Sequence, residues 1–418
     1  MRSKINNVDI RSITIGVNWC NQEKDKLKQN ISTFIDYAVE TFLESKIKIR
    51  TKRLTIPPLN NEDNMSKASS RSVVSWMSNL CDEVNIRWVC VPFDLTANSE
   101  KKLTPQAVID IINYNSNVFV NLIVTKDEKI SISGVEDAAQ IIKKTSKLSN
   151  NGFDNFRVGV SANCQANTPF FPFAQHCNDN HGFSLALETV DMFISIIDRF
   201  YKEGINIIRD HLVKSMGEEL VKINTLGMKI EEKTGFTFYG IDASLAPFPD
   251  GQCSVGKILE KLGVDNFGSS STLFFTSFLT DIIKHTIERN NIRAVGFNGV
   301  MYSLLEDDVL AKRAKYKNFH LESLALYSSV CGCGIDMIPL PGDILEEEIA
   351  GMIYDVSAMA ITLKKPLGYR VLPIPRKEAN EMTDFNYDFL VDTRIMNSKN
   401  SGSVINIKDS NVFEYIYD

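Results

Sequence analysis

The chain has 418 residues, 44% of them hydrophobic and 23% charged, with 46 basic residues against 52 acidic ones and a net charge of -6. That length and apolar content suffice for one large α/β domain or two ordinary ones, and the acidic balance supplies no positive field for nucleic acid or anionic lipid. Eight cysteines spread from Cys20 to Cys333 suit free thiols in a reduced compartment, not a disulfide scaffold. The basic, polar residues 1–7 lack the apolar run of a signal peptide. No stretch approaches the roughly 20 apolar residues that span a bilayer, so a cytoplasmic protein without a membrane or nucleic-acid partner is expected.

Residues 10–17 alternate as a strand does, and Ile31, Phe34, Ile35, Ala38, Val39, Phe42 and Leu43 then share one helical face. Residues 47–56 return to extended character, 73–84 have helical spacing and 86–91 form a short buried strand. Thr104-Pro105 opens a helix through Ile112, followed by a strand over 118–124 and an amphipathic helix over 135–148. Further on, the pattern gives a strand at 156–160, a long helix over 205–234 and a strand at 236–241. Helices at 255–262 and 273–287, a strand at 292–296 and a helix at 321–329 follow. A helix over 345–363 and a strand over 369–374 complete the alternation. Such order favours parallel pairing, in an α/β barrel or a large doubly wound sheet. Beyond Arg376 the apolar period fades, apart from a last strand-like pattern at 404–407 after the polar turn 398–402. Residues 1–375 are therefore read as the core domain and 376–418 as an extension packed on it or on a partner, or else frayed.

The densest chemistry lies in Val330-Cys331-Gly332-Cys333-Gly334-Ile335-Asp336. Glycines permit close backbone approach to a ligand, so Cys331 or Cys333 is a candidate reactive thiol; the competing reading is a tight buried turn. Asp242, two residues before Ser244 at a strand end, is a candidate base or substrate anchor, or a turn former. His176, Cys177 and His181 raise a zinc site, but without a second ligand pair, so structural or simply hydrogen-bonding histidines are the favoured reading; His176 is the better functional candidate as a proton-exchanging group, with Glu188 either its acid-base partner or a member of a buried ion pair. Lys364 and Arg370 flank a Pro-Leu-Gly turn where two cations suit a carboxylate or phosphate; the competing reading is an exposed Lys364 and a structural salt bridge for Arg370. Glu306, Asp307 and Asp308 offer oxygen ligands for a divalent ion, or helix-start electrostatics.

Several separated segments in order carry a family resemblance. Asp9-Ile10-Arg11-Ser12-Ile13-Thr14, Thr168-Pro169-Phe170-Phe171-Pro172 with His176, and Asp242-Ala243-Ser244-Leu245-Ala246-Pro247-Phe248-Pro249 resemble domain-of-unknown-function family 711. So do Gly296-Phe297-Asn298-Gly299-Val300 with Leu305-Glu306-Asp307, Gly334-Ile335-Asp336-Met337 with Cys331, and Arg370-Val371-Leu372-Pro373. The resemblance implies a ten-stranded α/β barrel similar to pyruvate formate-lyase and ribonucleotide reductase, with a hairpin loop inside and a reactive cysteine on an inner loop. Gly368-Tyr369-Arg370-Val371 departs from the order of a glycyl-radical segment, so no glycyl radical is expected. Asn386-Tyr387-Asp388 stands where the family has a glycine-rich stretch, and Gly268-Ser269-Ser270-Ser271 lacks a histidine found in some members.

The expected function is an enzyme acting on a small anionic metabolite by non-radical acid-base or thiol chemistry. Its catalytic candidates are Cys331, His176, Asp242 and Glu188, and its substrate-binding candidates Ser244, Asp336, Lys364 and Arg370. A divalent metal is compatible but not required, and a homo-oligomer is compatible. The alternatives are a metabolite-binding or regulatory protein without turnover, and a structural subunit. Fold alone does not choose among them.

Overall fold

The computed structural model describes residues 8–19, 23–59, 67–97, 103–177, 180–397 and 412–415. β1 (Asp9–Gly16) divides its side chains between two layers. Ile10, Ile13 and Ile15 join an apolar layer with Leu27, Ile31, Phe34 and Phe42 of α1 (Lys24–Glu44). Each large side chain so buried contributes about 1.5–3 kcal/mol. Thr14, on the opposite face, donates from Oγ1 to the carbonyl of Pro169 at 2.8 Å. Outer apolar and inner polar faces on one strand explain why the sequence alternates there.

The chain continues through β2 (Ile49–Thr55), α2 (Lys67–Glu83), β3 (Trp88–Asp94), α3 (Pro105–Tyr114) and β4 (Val118–Ile123). A small hairpin of β5 (Thr125–Lys126) and β6 (Lys129–Ser131) leads to α4 (Ile132–Thr145), β7 (Val158–Ala162) and β8 (Gly182–Glu188). Then come α5 (Val190–Phe200), the 30-residue α6 (Ile205–Thr234) and β9 (Thr237–Asp242). Gly235, at φ 73°, ends α6 with its amide on the Glu231 carbonyl. The last elements are α7 (Val255–Lys261), α8 (Thr272–Arg289), α9 (Asp308–Lys315), α10 (Leu321–Tyr327), β10 (Gly334–Pro341), α11 (Glu346–Thr362), β11 (Leu367–Ile374) and β12 (Val412–Glu414).

Nine strands form one sheet in the order β10-β11-β7-β4-β3-β2-β1-β8-β9. Its pairings are parallel except at β1/β8 and β7/β11. The expected strand at 292–296 is instead a run of isolated parallel bridges, Ile241 with Ala294, Leu245 with Val300 and Ser303 with Asp336. Gly296 and Asn298, both at positive φ, interrupt a regular ladder there. Conversely, β8 and α5 are full elements that the alternating pattern did not include, and α9 is a full helix where the sequence reading had only an acidic helix start.

Residues 163–177 run across the polar face of the sheet. Cys90 Sγ lies 3.2 Å from the Pro172 carbonyl, Asn121 Nδ2 donates to Phe173 at 3.3 Å, and Ser184 Oγ donates to Asn167 at 2.6 Å. A Cβ at Gly16 would sit 2.4 Å from His176 Nδ1, so only glycine admits the returning arm of this loop. Part of the carboxy-terminal extension also packs on the core: Val391 donates to Leu305 at 2.8 Å and Met396 to Pro339 at 2.9 Å. β12 pairs with β6, while the expected turn at 398–402 and strand at 404–407 lie outside the described residues.

Candidate functional site

The inner face of the sheet, the 163–177 loop and the extension enclose a cavity of about 550 Å³. Five arginines line it: Arg11 from β1, Arg50 and Arg53 from β2, Arg87 just before β3 and Arg370 from β11. Against them stand three carboxylates, Glu306, Asp336 and Asp388. Aromatic walls come from Trp88, Phe119, Phe156, Phe170, Phe171, Phe173, Phe248 and Phe389. Thr51, Ser303 and Cys333 also face it.

These cations are held in different ways. Arg370 forms a two-pronged pair with Asp336, Nε to Oδ1 at 2.6 Å and Nη2 to Oδ2 at 2.9 Å, with Glu306 at 3.5 Å. A bulge makes that geometry: Ile335 pairs with Tyr369 and Ile338 with Val371, so Asp336 and Met337 together oppose Arg370. Arg50 pairs with Glu188 at 2.8 Å and stacks 3.9 Å from the Phe248 ring. Arg11 donates to the Pro247 carbonyl at 2.9 Å.

Arg53 differs from all of these. It is buried, its Nε donates to Thr51 Oγ1 at 3.1 Å, and Trp88 and Phe171 flank it at 5.3 and 5.1 Å. Among the described residues no carboxylate lies within ion-pair distance of it. Burial first, then repulsion from Arg11, Arg370 and Arg87 against the attraction of Glu306, draws its guanidinium down to about 9. A buried cation in that state is stabilised by any anion that enters the cavity.

The cysteine loop abuts the same cavity. Cys331 and Cys333 are buried, and Cys333 lines the wall. The Gly332 amide donates to Val300 at 2.7 Å, and a Cβ on Gly332 would lie 2.7 Å from Gly299 Cα, so two glycine backbones meet there. Lys365 Nζ donates to the carbonyls of Ser328 at 3.0 Å, Ser329 at 3.3 Å and Cys331. Hydrogen bonding from the Cys333 thiol, set against burial and helped by the charge of Lys365, lowers Cys331 to about 6, whereas Cys333 is raised.

The remaining candidates lie elsewhere. Asp242 is fully buried and accepts from Ser244 N at 3.0 Å, Ser244 Oγ at 2.5 Å, Phe297 N at 2.7 Å and Asn298 N at 3.1 Å. Ser244 Oγ in turn accepts from Gly299 N at 3.1 Å. The pair fastens residues 297–299 to the end of β9 and does not line the cavity. Burial, opposed by these hydrogen bonds, raises Asp242 to about 6. His176 packs on the inner loop with Nδ1 3.2 Å from Asn167 Oδ1, apart from Glu188, whose ion-pair partner is Arg50. Burial raises Glu188 despite Arg11 and Arg50.

Lys364 is exposed after α11 and does not join Arg370; its neighbour Lys365 instead turns in to the cysteine loop. Glu306, Asp307 and Asp308 diverge. Glu306 faces the cavity, Asp307 accepts from the amides of Val255 and Leu310 at the starts of α7 and α9, and Asp308 accepts from Gly251. Among the described residues no group of three or more histidines, cysteines or carboxylates is arranged to hold a metal ion. No helix among them is long and apolar enough to cross a membrane.

Sequence reasoning thus named Arg370 and Asp336 but missed Arg11, Arg50, Arg53 and the aromatic walls. A signal was present in Arg50-Thr51-Lys52-Arg53: two residues of one parity, Thr51 and Arg53, on a strand that β1 and β3 flank. Polar side chains on an interior strand face a cavity or a partner, not open solvent.

These features define an α/β protein with a mostly parallel sheet and an arginine-rich, aromatic-walled interior cavity. The chain belongs to the family described as Uncharacterised ACR (DUF711), which matches residues 3–392. A UPF0210 protein of Campylobacter concisus is 26% identical over 406 residues, covering 91% of this chain and 88% of that protein. A UPF0210 protein of Pyrobaculum aerophilum is 25% identical over 404 residues, covering 90% and 87%. Among solved structures, the anaerobic ribonucleotide reductase from Thermotoga maritima, with citrate in its active site, aligns with 8% identity and a TM-score of 0.42 over 87% of this chain and 80% of that one.

Proposed function

We propose that the protein is an enzyme that binds a small anionic metabolite in the arginine-lined cavity and acts on it by non-radical acid-base or thiol chemistry. The observation that carries this reading is Arg53, a buried guanidinium facing three like charges with no carboxylate partner among the described residues. Such an arrangement is costly when empty and favourable when an anion fills it. The ligand's apolar body packs against Phe171 and Trp88, and Cys333 is the thiol nearest to hand. The three parallel bridges that join residues 241–245, residues 294–303 and β10 support a further step, closure of the sheet into a ten-stranded barrel around this cavity.

Binding without turnover is the second reading. It draws support from the carboxylates: Asp242 is saturated by hydrogen bonds, and Asp336 is committed to Arg370. The test is thermal unfolding against a panel of oxo acids, dicarboxylates and phosphorylated metabolites, with turnover then followed for every ligand that stabilises. The enzyme reading expects a stabilising anion that is converted by the wild type and not by Cys331→Ala. Stabilisation with no conversion selects the binding protein, and no stabilising anion overturns both.

A further inference from the structure

Two thiols one residue apart, both buried, one of them on the wall of a cationic cavity, form an arrangement that the anion reading alone does not use. We propose that Cys331 and Cys333 are a redox-active dithiol that reduces a small carboxylate-bearing disulfide held by the cavity arginines, closing to a 331–333 disulfide. This rests on the anion-binding reading for its substrate class, but the dithiol is argued from its own geometry.

Three features support it. Cys333 opens onto the cavity, and Cys331, two positions before it in the same loop, is buried behind it. Gly332 between them is held by the Val300 carbonyl and carries no side chain to hinder the close turn that an adjacent disulfide needs. Lys365, half-buried, binds three carbonyls of the loop and sets a positive charge beside the pair, which favours a single thiolate there.

The pair's proton passes to Cys331, and the Cys333 thiolate attacks one sulfur of the ligand RSSR, forming a Cys333–S–S–R bond as the ligand's own S–S bond breaks and RS⁻ leaves. Cys331 gives its proton to that RS⁻ and attacks the Cys333 sulfur. The mixed disulfide breaks, the second RS⁻ leaves and the 331–333 bond forms. Two electrons pass from the protein to the ligand, one RSH and one RS⁻ are released, and the protein ends as a disulfide.

The experiment treats the reduced full-length protein with 3,3′-dithiodipropionate, a dianion, or with 2-hydroxyethyl disulfide, its neutral counterpart. Thiol release is followed with time, and the protein disulfide is located by peptide mass mapping. The proposal expects a 331–333 disulfide, two thiols released per chain, and a rate at least tenfold higher for the dianion, with the preference lost in Arg53→Met and in high salt. Cys331→Ser is expected to stop at the mixed disulfide on Cys333 with one thiol released. Failure of either disulfide to oxidise the pair, or linkage to any other cysteine, overturns the dithiol. A 331–333 disulfide formed equally fast from both reagents keeps the dithiol but overturns the anionic substrate and the arginine cavity's part in it.

Discussion

Replacing Arg53 by methionine removes a charge that the folded protein accommodates poorly, so the unliganded variant is expected to be more stable than the wild type near neutral pH. Burial and neighbouring arginines hold the Arg53 guanidinium down at about 9. Against an ordinary value above 12, a deficit of roughly three decades is worth about 4 kcal/mol. Methionine loses the hydrogen bond to Thr51, about 1 kcal/mol, and contacts with the rings of Trp88 and Phe171, about 0.5–1 kcal/mol each. The net gain is about 1–2 kcal/mol, at the expense of ligand binding. Urea unfolding at pH 7.5 in a buffer of low anion content measures it. The sign of the pH dependence follows from the depressed folded value: between about 9 and 12 the unfolded chain holds more protons here, so this group's penalty fades as pH rises through that window. The stability gap between variant and wild type therefore narrows above pH 9. A variant that unfolds at lower urea by 1 kcal/mol or more, or a gap that does not change with pH, would refute the argument.

Asp336→Asn leaves Arg370 with Glu306 at 3.5 Å as its remaining carboxylate, beside the Phe156 carbonyl at 3.3 Å. Stability is expected to fall by about 3–5 kcal/mol, or about 3–6 °C for a chain of 418 residues unfolding as one unit, read by calorimetry; an unchanged midpoint would show the pair to be ornamental. Asp307 accepts from Ser254 Oγ at 2.6 Å and from the amides of Val255, Gly256, Val309 and Leu310. Asp307→Ala orphans these donors and should cost at least about 3 kcal/mol in urea unfolding, whereas a loss below 1 kcal/mol would deny it the role of joining α7 to α9. Asp242 is raised to about 6, above its unfolded range, so its favourable contribution is complete below about pH 4 and is lost as pH rises through 6. A stability profile from pH 4 to 7 should show this fall in the wild type and not in Asp242→Asn.

Much of the architecture was legible because it is local. The β1 and α1 periods, the helix starting at Thr104-Pro105 and the 30-residue α6 ending at Gly235 are written in nearby side chains. The two antiparallel junctions were not legible, since β1 meets β8 across more than 160 residues and neither strand encodes its neighbour's direction. Nor was the work of Asp242 visible as more than an alternative, because its amide partners at 297 and 298 come from a distant segment. The site was half visible. Arg370 and Asp336 stood out through their motifs, while nothing singled out Arg53 until strand order placed β2 between β1 and β3. Lys364 and Lys365 show the opposite failure. Adjacent lysines are alike in sequence, and only the end of α11 decides that the first is exposed and the second turns in to the cysteine loop.

The central claim is that the arginine cavity holds an anion. The most direct measurement is calorimetric titration of the full-length protein with di- and tricarboxylates and phosphorylated metabolites, at low and high salt, beside Arg53→Met. At least one anion is expected to bind at one site per chain, weakened by salt and lost in the variant. Binding that survives Arg53→Met undiminished, or the absence of any saturable anion, would contradict it.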